Sequence, residues 1–135
     1  MYVMPSSKLV AILTELAATA GVLVTPKVKL FVNNFTPTAN SVIGDFTLGS
    51  SNDWAAIVVT WGAAHLTPQG MAELLSQLCT WTWTAGATEG LTAYGYLVTD
   101  TAGTGLLFSE RFDTPVPQVF NGQQLSLIVR YLLGQ

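Results

Sequence analysis

The chain has 135 residues, half of them hydrophobic and only 10% charged, with a net charge of −3 and a single cysteine. That length suits one domain over residues 1–135, able to bury roughly two thirds of the surface its unfolded form exposes. Two exclusions follow: Lys27 and Lys29, the nearest approach to a basic cluster, are too few to neutralise a run of phosphates, so nucleic acid is not an expected partner, and a lone cysteine leaves the fold to be held by packing.

Residues 1–7 precede the first regular element, and Tyr2, Val3 and Met4 read either as a contact arm or as a frayed terminus. Over residues 8–21 the spacing of Leu9, Ile12, Leu13 and Leu16 predicts an α-helix, with Ser6 or Ser7 as N-cap and Gly21 as C-cap. A secretory leader is a rival reading, because Lys8 precedes an apolar run and Ala18-Thr19-Ala20 resembles a cleavage site, but Glu15 interrupts the run. Leu9 to Val24 is about four residues short of a membrane span, so no membrane partner is expected.

From Lys27 the pattern turns to β. Residues 27–33 predict a strand with Val28, Leu30 and Val32 on one face and Phe31 on the more polar one. Asn34 to Asn40 reads as a loop, Ile43 to Asp53 as a segment holding a short helical turn, and Trp54 to Trp61 as a strand covered on both faces. Met71 onward could begin a helix, yet Cys79 to Thr84 alternates strictly, which places at least Gln77 to Thr84 in a strand. Leu91 to Asp100 and Gly105 to Phe112 form a predicted hairpin around Thr101 to Thr104. Pro115 and Pro117 read as breaks, Asn121-Gly122 as a turn, and Gln124 to Leu133 as a final alternating strand. The expected fold is therefore mainly β, a β-sandwich or jelly-roll-like domain over residues 27–135 with one N-terminal α-helix.

Chemistry-bearing groups are sparse. His65 is the sole histidine, in a polar loop, and has no nucleophile beside it in sequence. Cys79 shares a strand face with Trp81 and Trp83, the usual setting of a buried thiol. One His and one Cys cannot complete a zinc set, and Asp45, Asp53 and Asp100 do not form a calcium loop. In the hairpin, Asp100 pairs near Gly105 while Glu110 faces the region of Gly95, which separates the carboxylates that glycoside hydrolysis would require. No metal, cofactor or catalytic residue is expected, and the chain does not read as an enzyme. Arg111 and Asp113 have two readings: a local ion pair of Arg111 with Asp113 or Asp100, or a subunit contact.

One ordered set of short motifs points further. Lys29-Leu30-Phe31, Asn33-Asn34, Thr36-Pro37, Asp45-Phe46-Thr47, Trp54-Ala55-Ala56, Trp61-Gly62, Tyr94-Gly95-Tyr96, Thr99-Asp100 and Glu110-Arg111-Phe112-Asp113 resemble small virion structural proteins encoded in tailed-phage genomes. The resemblance covers about residues 28–62 and 92–129. It implies a capsid decoration, or cement, protein that bridges subunits of the major capsid protein, located in the virion after assembly in the host cytoplasm. By analogy it implies a homo-oligomer, commonly a trimer. The candidate assembly contacts, Tyr2, Val3, Met4, Arg111 and Asp113, are those read from the residues themselves. The sparsely charged composition agrees, since apolar surface of this kind is covered between copies. The alternative from a different class is a carbohydrate- or receptor-binding module of a phage tail, with Trp81 and Trp83 as a stacking platform.

Overall fold

The computed structural model describes residues 6–18, 21, 23–84 and 90–134; the expected contact arm at Tyr2, Val3 and Met4 lies outside them. The elements run α1 (Ser6–Ala17), β1 (Lys27–Phe31), β2 (Ile57–Val58), β3 (His65–Leu66), β4 (Ala72–Trp83), β5 (Thr92–Thr99), β6 (Leu106–Pro117) and β7 (Gln123–Leu133). Two antiparallel sheets form, one ordered β2-β1-β5-β6 and the other β3-β4-β7. The chain is mainly β with one N-terminal helix, as expected of a β-sandwich.

The main core lies between the sheets. Val28, Leu30, Tyr96 and Val98 from the four-stranded sheet meet Cys79, Trp81, Trp83, Leu125 and Val129 from the other. Period-two alternation carries these side chains to one face each. The helix covers one end, where Leu9 and Leu13 bury against Ala72, Leu74 and Tyr131. It stops at Ala17 and not near Gly21. Gly21 instead presses against the helix, where an added Cβ would lie 2.1 Å from the Leu16 carbonyl oxygen. Ile12, placed by spacing on the apolar face, is exposed.

Several expectations are corrected, each for a tertiary reason. Phe31, on the face read as polar, is fully buried with Phe46 and Leu97. The segment after β1 folds back over that face, fixed by the Val32 N–H donating to the Thr47 carbonyl at 2.7 Å. Gly95 makes this packing available, because a Cβ there would sit 2.6 Å from the Phe31 ring. The expected strand from Trp54 to Trp61 is broken: Asn52–Trp54 is a 3₁₀ turn, β2 is two residues, and the chain then crosses to the second sheet. Ile43–Asp45 forms the short helical turn expected in that region. Strand β6 runs through Pro115 to Pro117 because it is an edge strand, where a missing N–H on the open side costs no ladder bond.

The largest correction is β4, which begins at Ala72 and contains no helix. Its register against β7 shifts between Leu75↔Arg130 and Leu78↔Ile128, so three steps on β4 match two on β7. That bulge reverses the parity of the strand. Ala72 and Leu74 point inward before it, and Cys79, Trp81 and Trp83 after it. Apolar residues at 71, 74, 75 and 78 therefore imitate a helical period while belonging to one strand. The bulge is stitched in place by Ser76, whose Oγ accepts from the Val129 N–H at 2.8 Å, and by Gln77. The Gln77 Nε2 donates to the Val58 carbonyl and its Oε1 accepts from the Thr60 N–H, both at 2.8 Å.

Both predicted turns are present. Gly103 (φ 80°) and Gly122 (φ 87°) hold the left-handed conformations that favour glycine. The β5–β6 hairpin is closed by the Asp100 carboxylate, which accepts from the Thr104 and Gly105 N–H groups at 2.9 and 3.1 Å.

Candidate interaction surface

Alternation gives β4 and β7 an outer face as regular as their inner one. In register across it stand Leu78 and Ile128, then Thr80 and Ser126, then Thr82 and Gln124. Leu78 is 62% exposed and Ile128 52%, with Leu75 and Leu132 partly exposed beside them. Thr80 and Ser126 share a hydrogen bond of 2.7 Å, and Gln124 Nε2 donates to the Thr82 hydroxyl at 3.3 Å. The result is an outer face with an apolar patch at one end and paired, uncharged polar groups at the other.

The patch ends in the one ion-pair cluster among the described residues. Glu73 is nearly buried although it belongs to the outer face, because His65 from β3 and Arg130 from β7 close over it. His65 Nε2 lies 2.8 Å from one Glu73 oxygen, and Arg130 Nε donates to the other. Burial pushes the Glu73 carboxyl up, but the hydrogen bonds from Arg130 and His65 outweigh it and leave the group below the usual carboxylate range. The His65 imidazole is raised, first by its Nδ1 contact with the Ala63 carbonyl at 3.1 Å and then by Glu73. With an acceptor on each ring nitrogen, only the imidazolium can donate to both. His65 is exposed as expected, but it sits in β3 and not in a loop. The three side chains tie β3, β4 and β7 together. Among the described residues no nucleophile is hydrogen-bonded to them, and the contacts they make are those of a strand clasp.

Arg111 takes neither of its expected ion pairs. Its Nη1 donates to the Phe35 carbonyl at 2.9 Å and its Nη2 to Asn34 Oδ1 at 2.7 Å, with the guanidinium 5.3 Å from the centre of the Tyr94 ring. It therefore pins the segment that covers Phe31. Asp113 is exposed on the wall of a cleft between β6 and β7. The structure does not bring the two together as a pair, and sequence offered no signal for the long-range bonds of Arg111, 76 and 77 residues away in the chain.

Trp81 and Trp83 face inward. Trp81 is 3% exposed with its Nε1 donating to the Ala55 carbonyl at 2.9 Å, and Trp83 is fully buried, stacked on Trp54 with ring centroids 4.9 Å apart. Neither ring offers a face to a sugar. Cys79 lies beside them, and burial pushes its thiol up, away from the reactive thiolate. Glu110 accepts from the Tyr96 hydroxyl at 2.8 Å and stands opposite Tyr96, while Asp100 serves the turn, so the hairpin register does separate the two carboxylates. Among the described residues no cluster of His, Cys, Asp and Glu could hold a metal, and no helix is long and apolar enough to cross a membrane.

Compared with family models, characterised proteins and solved structures, the chain matches none.

Proposed function

We propose that this protein is a structural component of a tailed-phage virion, a decoration protein that sits across neighbouring capsid subunits and ties them together. The observation that carries the reading is the outer face of the three-stranded sheet, where Leu75, Leu78, Ile128 and Leu132 lie exposed beside a hydroxyl and amide row. Apolar surface flanked by hydroxyl and amide groups on one side and by the His65–Glu73–Arg130 cluster on the other is the chemistry of a protein contact. The motif resemblance supplies the major capsid protein as the partner and a homo-oligomer, by analogy a trimer, as the working form. A sheet whose backbone is already hydrogen-bonded can meet a capsid surface with little reorganisation, so little ordering entropy is lost on binding.

Co-sedimentation with purified capsids of the encoding phage tests the proposal. Wild-type protein is expected to pellet with capsids and to raise their dissociation temperature. Leu78→Asp combined with Ile128→Asp is expected to abolish both effects while leaving the circular dichroism spectrum unchanged. Failure of the wild type to bind, or undiminished binding by the double variant, would overturn the reading.

A further inference from the structure

Of the residues that β4 and β7 turn outward, Arg130 is the one exposed charge. Along β7 it stands between Ile128 and Leu132, and across the ladder it pairs with Leu75, so exposed apolar side chains flank it on both strands. Arg130 therefore belongs to the apolar patch as well as to the ion-pair cluster that ends it.

Its guanidinium is held in place but only partly engaged. Nε donates to one Glu73 oxygen while His65 occupies the other, so a carboxylate pinned from two sides fixes the arginine. The Arg130 side chain is 52% exposed against 10% for Glu73, which puts the anion beneath and the cation outside. Among the described residues neither Nη1 nor Nη2 has a hydrogen-bond partner. Positive charge is also in excess, because Arg130 and the His65 imidazolium that its two acceptors require share one carboxylate. Anything that covers the patch takes the guanidinium fork out of water, and unpaired buried donors then oppose binding unless the covering surface supplies acceptors. A carboxylate meets both needs, since it accepts from both Nη groups in a planar fork and neutralises the excess charge. A nucleic-acid backbone would instead bring an array of negative charges to strands that expose one cation, on a chain of net charge −3.

We infer that the outer face of β4 and β7 receives a partner protein through an acidic side chain that pairs with the Arg130 fork, while apolar side chains beside it cover Leu75, Leu78, Ile128 and Leu132. The clasp to Glu73 sets the fork before the partner arrives, so binding does not have to order a free arginine. An arginine ringed by apolar contacts that exclude water is the setting in which this residue dominates an interface. The inference rests on the proposed reading of this face and deepens it, by naming what the partner presents there.

Heteronuclear NMR of isotope-labelled protein, titrated into the millimolar range with blocked tripeptides, reads the pairing without capsids. Acetyl-Leu-Glu-Leu-amide is expected to shift the Arg130 Nε–H and Leu75 amide resonances, and to bind at least about tenfold more tightly than acetyl-Leu-Gln-Leu-amide. Arg130→Lys keeps the charge and loses the fork, and is expected to narrow that preference to roughly threefold or less. In co-sedimentation the same substitution is expected to weaken capsid binding at least about tenfold. Glutamate and glutamine peptides that bind wild type alike, neither peptide shifting Arg130, or inorganic phosphate shifting it as strongly as the glutamate peptide would each overturn the inference, even where capsids bind. Undiminished capsid binding by Arg130→Lys would overturn it too. A glutamate preference that depends on Arg130, in a protein that capsids do not retain, would uphold the inference and remove the capsid as the partner.

Discussion

Replacing each core tryptophan by phenylalanine separates packing from hydrogen bonding, because the same atoms are removed at both sites. Ranking by burial alone makes Trp83→Phe the worse change, since Trp83 is fully buried and Trp81 is 3% exposed. Hydrogen bonding reverses the order. Trp81 loses its bond to the Ala55 carbonyl, worth about 1 kcal/mol net. Trp83 carries a buried Nε1–H with no partner among the described residues, so Phe removes an unpaired donor whose burial costs about 1–3 kcal/mol. A Phe ring at 83 also keeps an aromatic face against Trp54. With the volume terms cancelling to first order, Trp81→Phe is expected to be the more destabilising by about 2–4 kcal/mol. Urea denaturation followed by far-ultraviolet circular dichroism measures both, and equal slopes would confirm comparable unfolded states. Trp83→Phe costing as much as Trp81→Phe, or more, would show that the reasoning from the unpaired donor is wrong.

Three further outcomes follow from the geometry. His65 is raised in the folded protein, so its clasp contributes stability that is complete below its ordinary value near pH 6.5 and is lost as pH rises through the folded value. Thermal unfolding should therefore show stability falling as pH rises above about 6.5, a fall that His65→Gln removes, and a slope unchanged by that substitution would contradict the clasp. Gly95→Ala places a Cβ 2.3 Å from the Glu110 carbonyl oxygen and 2.6 Å from the Phe31 ring, and should cost more than about 2 kcal/mol by denaturant titration. Arg111→Lys loses the forked contact to Phe35 and Asn34, so limited proteolysis should cut between Asn34 and Asn40 faster, with about 1 kcal/mol or more of global stability lost. An unchanged cleavage rate would mean that the guanidinium does not hold that segment.

What the residues spelled out locally was legible in the sequence. Alternation from Cys79 to Thr84 set the inward tryptophans, the turn glycines at 103 and 122 marked two reversals, and the last strand carried its own inner and outer faces. The spacing of Leu9, Leu13 and Leu16 marked the helix. These signals need only neighbours within a few residues, so chain order preserves them. Tertiary structure alone decided the rest. A bulge stitched to residues 58 and 60 turned an apparent helical period into strand, and an edge position let β6 continue past Pro115. A folded-back segment buried Phe31, and register between strands distant in sequence assembled His65, Glu73 and Arg130. The interaction face follows the same division. Ile128 already falls on the outer face by the alternation of the last strand, whereas Leu78 joins an outer face that continues to Leu75 only across the bulge, and the two become one patch only because β4 and β7 pair across 50 residues of chain.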